Sequence, residues 1–242
     1  MNLHFGRSAN SLCVIPARGG SKRIPHKNIR LFRGRPIIEW SIKAAQQSKS
    51  FSRIIVSTDN QEIASIAEKF GADAPFLRPD HLSDDFVGTR EVIAHSIEEL
   101  SRQGSKYSHV CCLYATAPFV EPDDLLSSFN YFLTSREGSV VFSATSYSFP
   151  IQRALSIDSQ GYCSPSDPSA ILQRSQDLEE FFHDAGQFYW ASPQLWCSDT
   201  NLFDTGRPYL LPRWRVQDID TLEDWTRAEL MHQAISQQGY SQ

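Results

Sequence analysis

A polar loop near the start of the chain carries residue types that can bind a polyphosphate. It runs from Ile15 to Asn28 and combines two adjacent glycines and a serine with four basic side chains, Arg18, Lys22, Arg23 and Lys27. Glycines let backbone N–H groups approach an anion closely, and several cations on one loop can neutralise a phosphate chain. The spacing matches neither GxxxxGK[ST] nor GxGxxG. A solvated basic turn is the alternative interpretation.

Two acidic residues near the other end of the chain are typical of a site for a hard cation. Asp218 and Asp220 alternate on an extended stretch, so both carboxylates point to one side. Mg²⁺ prefers oxygen ligands, and such a pair could hold it beside phosphate oxygens. The pair also precedes a helical pattern, so capping of that helix is the competing interpretation.

Apolar segments of two kinds alternate along the chain and predict the scaffold for these residues. Short segments rich in β-branched and aromatic residues predict buried strands at 12–17, 53–58, 109–115, 139–145 and 187–191. Amphipathic patterns predict helices at 36–48, 60–70, 89–101, 122–134 and 221–237. We therefore expect one three-layer α/β/α domain over residues 1–242 with a mostly parallel, Rossmann-like sheet. The basic loop then follows the first strand, where open α/β sheets bind ligands.

Local signals also predict where the helix at 60–70 begins and ends. Asp59 lies three residues before Glu62, which is the spacing of a capping box, and Gly71 follows the last apolar position. We expect Asp59 to cap this helix and Gly71 to end it.

The alternation of strands and helices breaks after Thr145. Residues 147–181 have no long helical period, contain Pro150, Gly161, Pro165 and Pro168, and are too many for a plain loop. We interpret this segment as an inserted arm used in dimerisation, and we expect a homodimer.

Charge is distributed unevenly along the chain. Residues 1–38 hold eight basic and no acidic side chains, whereas the rest holds 15 basic and 28 acidic ones, a net charge of −13. Nucleic-acid binding needs a broad basic face, so this acidic body argues against a nucleic-acid partner even with a basic leading segment. A small basic region on an acidic protein fits a compact polyanion such as a nucleoside triphosphate.

Two features of the sequence concern the compartment. No apolar run approaches the about 18 residues of a membrane span, and the first residues lack the apolar stretch of a signal peptide. The five cysteines form no C-x-x-C or His/Cys ligand pattern, which favours core thiols in a reducing environment. We expect a cytoplasmic protein with no membrane partner.

The basic loop resembles a known signature. Residues 16–22 and the following Lys27 and Asn28 are similar to the P-A-R-x-x-S-K…K-N pattern of cytidylyltransferases that activate nine-carbon sugar acids, the CMP-sialic acid synthetase family. The resemblance extends from Leu12 to about Trp225. It implies a fold of the nucleotide-diphospho-sugar transferase type, CTP and a nine-carbon sugar acid as substrates, and Mg²⁺ as the cofactor. It also implies attack of the sugar's anomeric hydroxyl on the α-phosphate of CTP, with release of pyrophosphate.

The resemblance implies a role for each matching residue. Those implied to bind CTP are Ala17, Arg18, Gly19, Gly20, Ser21, Lys22, Lys27, Asn28, Arg78 and Thr89. Arg18, Lys27 and Asp220 are implied to be catalytic, Lys27 by stabilising charge on the transferred phosphoryl group. Asp218 and Asp220 correspond to the family's magnesium-binding pair.

Arg78 opens a second segment, which continues through Asp84 and Asp85 to Thr89 and resembles the family's cytosine pocket. An arginine and a hydroxyl can read a base that carries a carbonyl and an exocyclic amine. Capping of the following helix is the alternative role for Asp84, Asp85 and Thr89.

Further segments resemble the branch of this family that acts on pseudaminic acid. They are YATAPF at 114–119, RSQDL at 174–178 and HDAGQFYW at 183–190. The sugar-binding residues that this resemblance implies are Tyr114, Thr116, Arg174, Gln187 and Tyr189. A guanidinium fork suits a carboxylate, so Arg174 is implied to bind that group of the sugar.

The last of these segments can also be interpreted as a strand with packed aromatic side chains. In a regular strand Gln187 and Tyr189 share one face, opposite Phe188 and Trp190. The implied product is CMP-pseudaminic acid for surface-glycan or flagellin glycosylation. Two alternatives stay open: the same reaction on legionaminic or N-acetylneuraminic acid, and a protein that binds CTP without catalysis.

Overall fold

The computed structural model describes residues 10–237. Arg7, one of the eight basic residues within positions 1–38, lies outside the described residues. The strands are β1 (Ser11–Pro16), β2 (Leu31–Phe32), β3 (Arg35–Pro36), β4 (Arg53–Ser57), β5 (His109–Leu113), β6 (Val140–Ser146), β7 (Leu155–Ile157), β8 (Cys163–Pro165), β9 (Phe182–Ala191) and β10 (Gly206–Leu210). The helices are α1 (Ile37–Ser48), α2 (Gln61–Lys69), α3 (Thr89–Arg102), α4 (Pro122–Leu133), α5 (Pro168–Ile171), α6 (Pro193–Trp196) and α7 (Leu222–Gln237). Every strand and helix expected from the sequence is present, and all but one lie within two residues of their predicted bounds; β9 begins at Phe182, five residues before the predicted start.

Six strands form one sheet in the order β10-β6-β9-β5-β1-β4. β9 is antiparallel to both of its neighbours, and the other pairings are parallel. The mostly parallel α/β fold is therefore confirmed. The sequence did not predict β10, because this short edge strand carries Arg207 and Pro208 in place of an apolar run.

Helices cover both faces of the sheet, as alternate residues of β1 illustrate. Cys13 and Ile15 pack in a core with apolar residues of α1, α2 and α4. Leu12 and Val14 pack in a second core with α3 and α6. A third cluster, which includes Phe32 and Trp225, anchors α7 beside the short β2–β3 ribbon. No helix among residues 10–237 is long and apolar enough to cross a membrane.

The first turn of α2 corrects one expectation from the sequence. Asn60, not Asp59, caps the helix, since its Oδ1 accepts the N–H groups of Glu62 at 2.9 Å and Ile63 at 3.1 Å. Asp59 instead accepts the N–H of Gly19 at 2.8 Å. The expected end of the helix is confirmed, because Gly71 follows it with φ +85°.

β9 contains a bulge that sequence alternation does not reveal. Asp184 pairs with Ala144 and Tyr189 with Phe142, so four residues of β9 lie opposite Ser143 alone. The Ser143 hydroxyl accepts the N–H groups of Gln187 and Phe188, each at 3.1 Å. The bulge changes which side chains share a face of the strand.

The segment at 147–181 leaves β6 and returns to β9 at adjacent points. The Tyr147 N–H donates to the Phe181 carbonyl at 3.1 Å, and between these ends lie the β7–β8 hairpin and α5. Large apolar side chains on this arm are exposed, among them Phe149 at 82% and Leu172 at 89%. The segment therefore extends from the sheet with an apolar surface of its own.

Candidate active site

A cavity of about 300 Å³ lies beyond the carboxyl ends of β1 and β5. It collects side chains that are far apart in the sequence. The implied CTP-binding residues that line it are Arg18, Ser21, Lys22, Lys27, Asn28, Arg78 and Thr89. Asp218, Asp220, Tyr114 and Thr116 line the same cavity. We call this space the nucleotide cavity.

Three other residues implied to bind CTP support the loop without lining the cavity. Ala17 is buried, and its N–H donates to the Ser57 carbonyl at 2.9 Å. The Gly19 N–H is held by Asp59, and a Cβ on Gly19 would lie only 3.0 Å from the Asn60 side chain. Gly20 is exposed. Close packing on the start of α2 therefore explains the glycine at position 19.

Asn28 holds the loop in its folded shape. Its side chain is buried, and its Nδ2 donates to the Arg18 carbonyl at 2.9 Å. This hydrogen bond joins the two ends of the basic loop, so that its cations are directed toward one space.

Two of the loop cations pair with Asp85. Arg18 Nη1 and Lys22 Nζ each lie 2.5 Å from one oxygen of this carboxylate. These contacts, first with Lys22 and then with Arg18, lower the pKa of Asp85. Capping of α3 was the alternative role for this residue, but α3 begins after Gly88 with no side-chain cap.

The other two loop cations pair with Asp220. Its Oδ1 lies 3.0 Å from Arg23 Nη2 and 3.2 Å from Lys27 Nζ. Lys27 also donates to the Ile219 carbonyl at 2.8 Å, which fixes its ammonium group beside the acidic pair. The basic loop and the acidic pair, 190 residues apart in the sequence, therefore form one polar cluster.

Asp218 and Asp220 are free of the capping role that competed for them. α7 is capped by Thr221, whose Oγ1 accepts the Asp224 N–H at 3.2 Å, and by Asp224, whose Oδ2 accepts the Thr221 N–H at 2.8 Å. Burial, and then the neighbouring charge of Asp220, raise the pKa of Asp218. The described residues contain no group of three side chains able to hold a metal, so a cation here needs ligand and water oxygens as well.

Arg78 is a buried cation with hydrogen-bonding capacity to spare. The residue is only 5% exposed, and its backbone N–H donates to the Thr58 carbonyl at 2.7 Å. Burial lowers the pKa of its guanidinium group. Within residues 10–237 its side-chain Nε and Nη2 atoms have no hydrogen-bond partner. Burying unpaired donors is costly, so this guanidinium fits a ligand that brings acceptors to it.

A second cavity, of about 560 Å³, adjoins the first. Tyr114 and Asp218 line both cavities, so the two spaces meet at these residues. We call the second space the sugar cavity, after the substrate that the sequence resemblance implies. Sequence reasoning did not assign a role to three further polar residues that line it, Asp184, Arg213 and Arg227. Asp184 belongs to the HDAG segment, so this motif could have indicated its place in the site. Arg213 and Arg227 lie in no motif.

Tyrosine hydroxyls connect the two cavities. The Tyr189 hydroxyl donates to Asp184, which also accepts the Gly186 N–H at 2.9 Å. The Tyr114 hydroxyl hydrogen-bonds Thr89 at 2.7 Å, and its ring centroid lies 5.7 Å from that of Tyr189. Burial raises the pKa of both tyrosines, so their hydroxyls stay protonated and can donate.

Two residues implied to bind the sugar, Arg174 and Gln187, line neither cavity. Arg174 is exposed on the arm, and its Nε lies 2.7 Å from Asp177. Gln187 is buried and donates to the Arg215 carbonyl at 2.7 Å. Gln187 therefore does not line the sugar cavity with Tyr189, as the regular alternation of a strand predicts, because the bulge interrupts that alternation. Thr116 lines the nucleotide cavity and not the sugar cavity.

Comparison with known proteins shows the family of the chain. Residues 12–158 match the cytidylyltransferase family. The chain is 41% identical over 223 residues to the pseudaminic acid cytidylyltransferase of Campylobacter jejuni subsp. jejuni serotype O:2, covering 92% of this chain and 96% of the relative. It is 31% identical over 220 residues to the CMP-N,N'-diacetyllegionaminic acid synthase of Legionella pneumophila subsp. pneumophila, covering 90% and 94%.

A solved structure shares the fold. The structure of CMP:2-keto-3-deoxy-manno-octonic acid synthetase complexed with CTP is similar with a TM-score of 0.68 at 15% identity, covering 93% of this chain and 99% of the other. This similarity concerns the fold alone, whereas the sequence matches extend over most of the chain. The chain belongs to the cytidylyltransferase family and is a nucleotidyltransferase.

Proposed function

We propose that the protein transfers CMP from CTP to the anomeric hydroxyl of pseudaminic acid, giving CMP-pseudaminic acid and pyrophosphate. One observation carries this proposal: the nucleotide cavity and the sugar cavity meet at Tyr114 and Asp218. Two substrates that occupy these cavities would meet beside Asp218, and Lys27 lines the same nucleotide cavity with its ammonium group held at the Ile219 carbonyl. A reaction between them is the simplest use of that arrangement.

The nucleotide cavity suits CTP at both of its ends. The unpartnered donors of Arg78 match the carbonyl oxygen and ring nitrogen of cytosine, which are acceptors. At the other end, Arg18, Lys22 and Lys27 supply positive charge for the triphosphate.

The reaction joins the anomeric oxygen of the sugar to the α-phosphorus of CTP. The bond from that phosphorus to the bridging oxygen of the β-phosphate breaks, pyrophosphate leaves with the bonding electrons, and the hydroxyl proton is released. Charge builds on the transferred phosphoryl group during this step. Lys27 is positioned to stabilise that charge, because the Ile219 carbonyl fixes its ammonium group beside the acidic pair.

Asp218 and Asp220 are the residues that we propose to hold Mg²⁺. Both carboxylates line one cavity, and burial, followed by the charge of Asp220, raises the pKa of Asp218. This arrangement fits a divalent cation with oxygen ligands. When bound, the cation neutralises phosphate charge and makes a coordinated hydroxyl easier to deprotonate. The phosphate chain supplies further oxygen ligands.

The choice of pseudaminic acid over its isomers is supported by the sugar cavity and by sequence similarity. Asp184 offers an acceptor for an amide N–H, and Tyr189 carries a buried hydroxyl beside it. Pseudaminic acid carries amide groups that such residues can bind. The Campylobacter jejuni relative with this activity matches at 41% identity, against 31% for the legionaminic acid enzyme.

We also propose that the arm forms a homodimer. Its exposed apolar side chains, such as Phe149 and Leu172, would be buried by a second copy. In that dimer Arg174 could bind the carboxylate of a sugar held by the partner chain.

We place the reaction in the cytoplasm, with its product used for surface-glycan or flagellin glycosylation.

A coupled assay of pyrophosphate release tests the proposal. The enzyme is given CTP, Mg²⁺ and one sugar at a time: pseudaminic, legionaminic or N-acetylneuraminic acid, with a control that has no sugar. We expect the highest kcat/KM with pseudaminic acid, and a CMP-sugar of matching mass. Comparable turnover of N-acetylneuraminic acid would contradict the sugar assignment. Binding of CTP without release of pyrophosphate in every reaction would instead identify a CTP-binding protein.

A further inference from the structure

Asp85 does not line the nucleotide cavity itself, but it pairs with two basic residues that do, Arg18 and Lys22. Its two oxygens lie 2.5 Å from Arg18 Nη1 and 2.5 Å from Lys22 Nζ. Asp220 pairs with the remaining loop cations but has a second proposed role as a metal ligand. Asp85 is assigned no part in binding either substrate, yet it holds two of the cations proposed to bind phosphate.

We propose that Asp85 competes with phosphate groups for Arg18 and Lys22 and thereby keeps pyrophosphate binding weak enough for release. This inference rests on the proposed function in that the loop must bind a phosphate chain. Asp85 is a positioning residue in this account, because it acts through the two cations and not on the substrate.

The competition follows from charge and distance. A phosphate oxygen that contacts Arg18 or Lys22 either displaces the carboxylate or lies beside it, and two anions in contact repel each other. The Asp85 side chain is 33% exposed, so it can turn toward water without leaving a buried charge. Displacement is therefore possible, but it lowers the affinity of any phosphate ligand.

CTP and pyrophosphate differ in the other contacts that can offset this loss of affinity. CTP has further contacts available at Arg78 and Thr89, which line the same cavity. Pyrophosphate has only its phosphate oxygens. The same loss of affinity that CTP tolerates therefore favours departure of the product.

The chain holds Asp85 in place through a local turn. Asp84 Oδ1 accepts the N–H groups of Phe86 at 2.8 Å and Val87 at 3.0 Å. Phe86 is 95% exposed, whereas Val87 lines the cavity. The turn thus presents the Asp85 carboxylate at the rim of the cavity, facing the loop.

Calorimetric titration with inorganic pyrophosphate, and separately with CTP, tests the inference on the full chain. D85N keeps the shape of the side chain and removes its charge, so we expect it to bind both ligands about 3–10-fold more tightly, the range for two exposed ion pairs. D85E keeps the charge and should bind as the wild type does. D80N is the matched control, since among the described residues Asp80 forms no ion pair with the loop; its affinities should stay within about twofold of wild type.

A double-mutant cycle links the effect to the cations. In the K22A background, D85N should tighten pyrophosphate binding less than it does in the wild-type background, because one of the two released cations is then missing. In turnover assays, pyrophosphate should inhibit D85N more strongly than wild type.

The outcomes separate this inference from the proposed function. Unchanged or weaker pyrophosphate binding by D85N overturns the competition and makes Asp85 a support for Arg18 and Lys22. A wild-type protein that binds both ligands but forms no CMP-sugar contradicts the proposed function, while tighter binding by D85N still supports competition. A wild-type protein that binds neither ligand overturns both.

Discussion

The nucleotide cavity is built within one chain, whereas the arm at 147–181 leaves its side chains without comparable partners. Around the cavity, Lys27 is fixed by Ile219 and Asp220, and Asn28 fastens the loop. On the arm, Phe149 and Leu172 are exposed, and Arg174 forms an ion pair with nearby Asp177. The residues of the nucleotide cavity are thus fixed by contacts within one chain, whereas the role that we propose for the arm in sugar binding needs contacts from a second copy.

The largest effect is expected at Lys27. K27A removes the ammonium group proposed to stabilise the transferred phosphoryl group, and kcat/KM should fall by about 10³-fold. The steady-state rate of pyrophosphate release measures this loss. K43A, which changes an exposed lysine on α1, is the control and should retain full activity. A K27A enzyme within tenfold of wild type would remove this residue from the account.

The next effect is expected at Arg78. R78M keeps an apolar side chain of similar length and removes the donors for cytosine, so CTP affinity should fall by about 10–100-fold. Because the mutation also removes buried donors that have no partner among residues 10–237, the melting temperature should not fall. Calorimetry and a thermal melt together check this. Loss of stability with unchanged CTP affinity would make Arg78 a structural residue.

A change on the arm tests the other side of the comparison. R174A should raise the KM for the sugar by about tenfold or more and leave the KM for CTP unchanged, since a carboxylate loses a charged partner. R136A, at an exposed arginine in the turn before β6, is the matched control. If R174A changed neither KM, the arm would have no part in sugar binding.

The smallest effect is expected at Tyr189, which lines the sugar cavity and lies beside the ring of Tyr114. Y189F removes the hydroxyl that donates to Asp184 but keeps the buried ring, so the KM for the sugar should rise by about 3–10-fold. The KM for CTP should change less than twofold. Equal changes in both values would mean that the tyrosine pair acts on the nucleotide cavity as a whole.

The sequence predicted the parts of the molecule that depend on local pattern. The strand and helix positions follow from apolar periodicity, and the loop after β1 follows from glycine, serine and lysine spacing. Both are decided within about 15 residues of chain, which is the range over which periodic patterns are informative.

Features that depend on tertiary packing were not accessible in this way. A carboxylate pair before a helix can cap it or face a cavity, and only the Thr221–Asp224 cap shows that Asp218 and Asp220 are spared that role. The bulge opposite Ser143 interrupts the alternation of β9, so that Tyr189 lines the sugar cavity while Gln187 binds the Arg215 carbonyl. The ion pairs of Asp85 join segments about 65 residues apart, which no spacing rule indicates.

A crystal structure with CTP, Mg²⁺ and pseudaminic acid tests the central claim most directly. We predict cytosine against Arg78, the triphosphate along Arg18 to Lys27, and the anomeric hydroxyl of the sugar beside Tyr114 and Asp218. The two substrates should then meet at the junction of the cavities. A sugar bound away from that junction, or a triphosphate that does not contact the basic loop, would contradict the account.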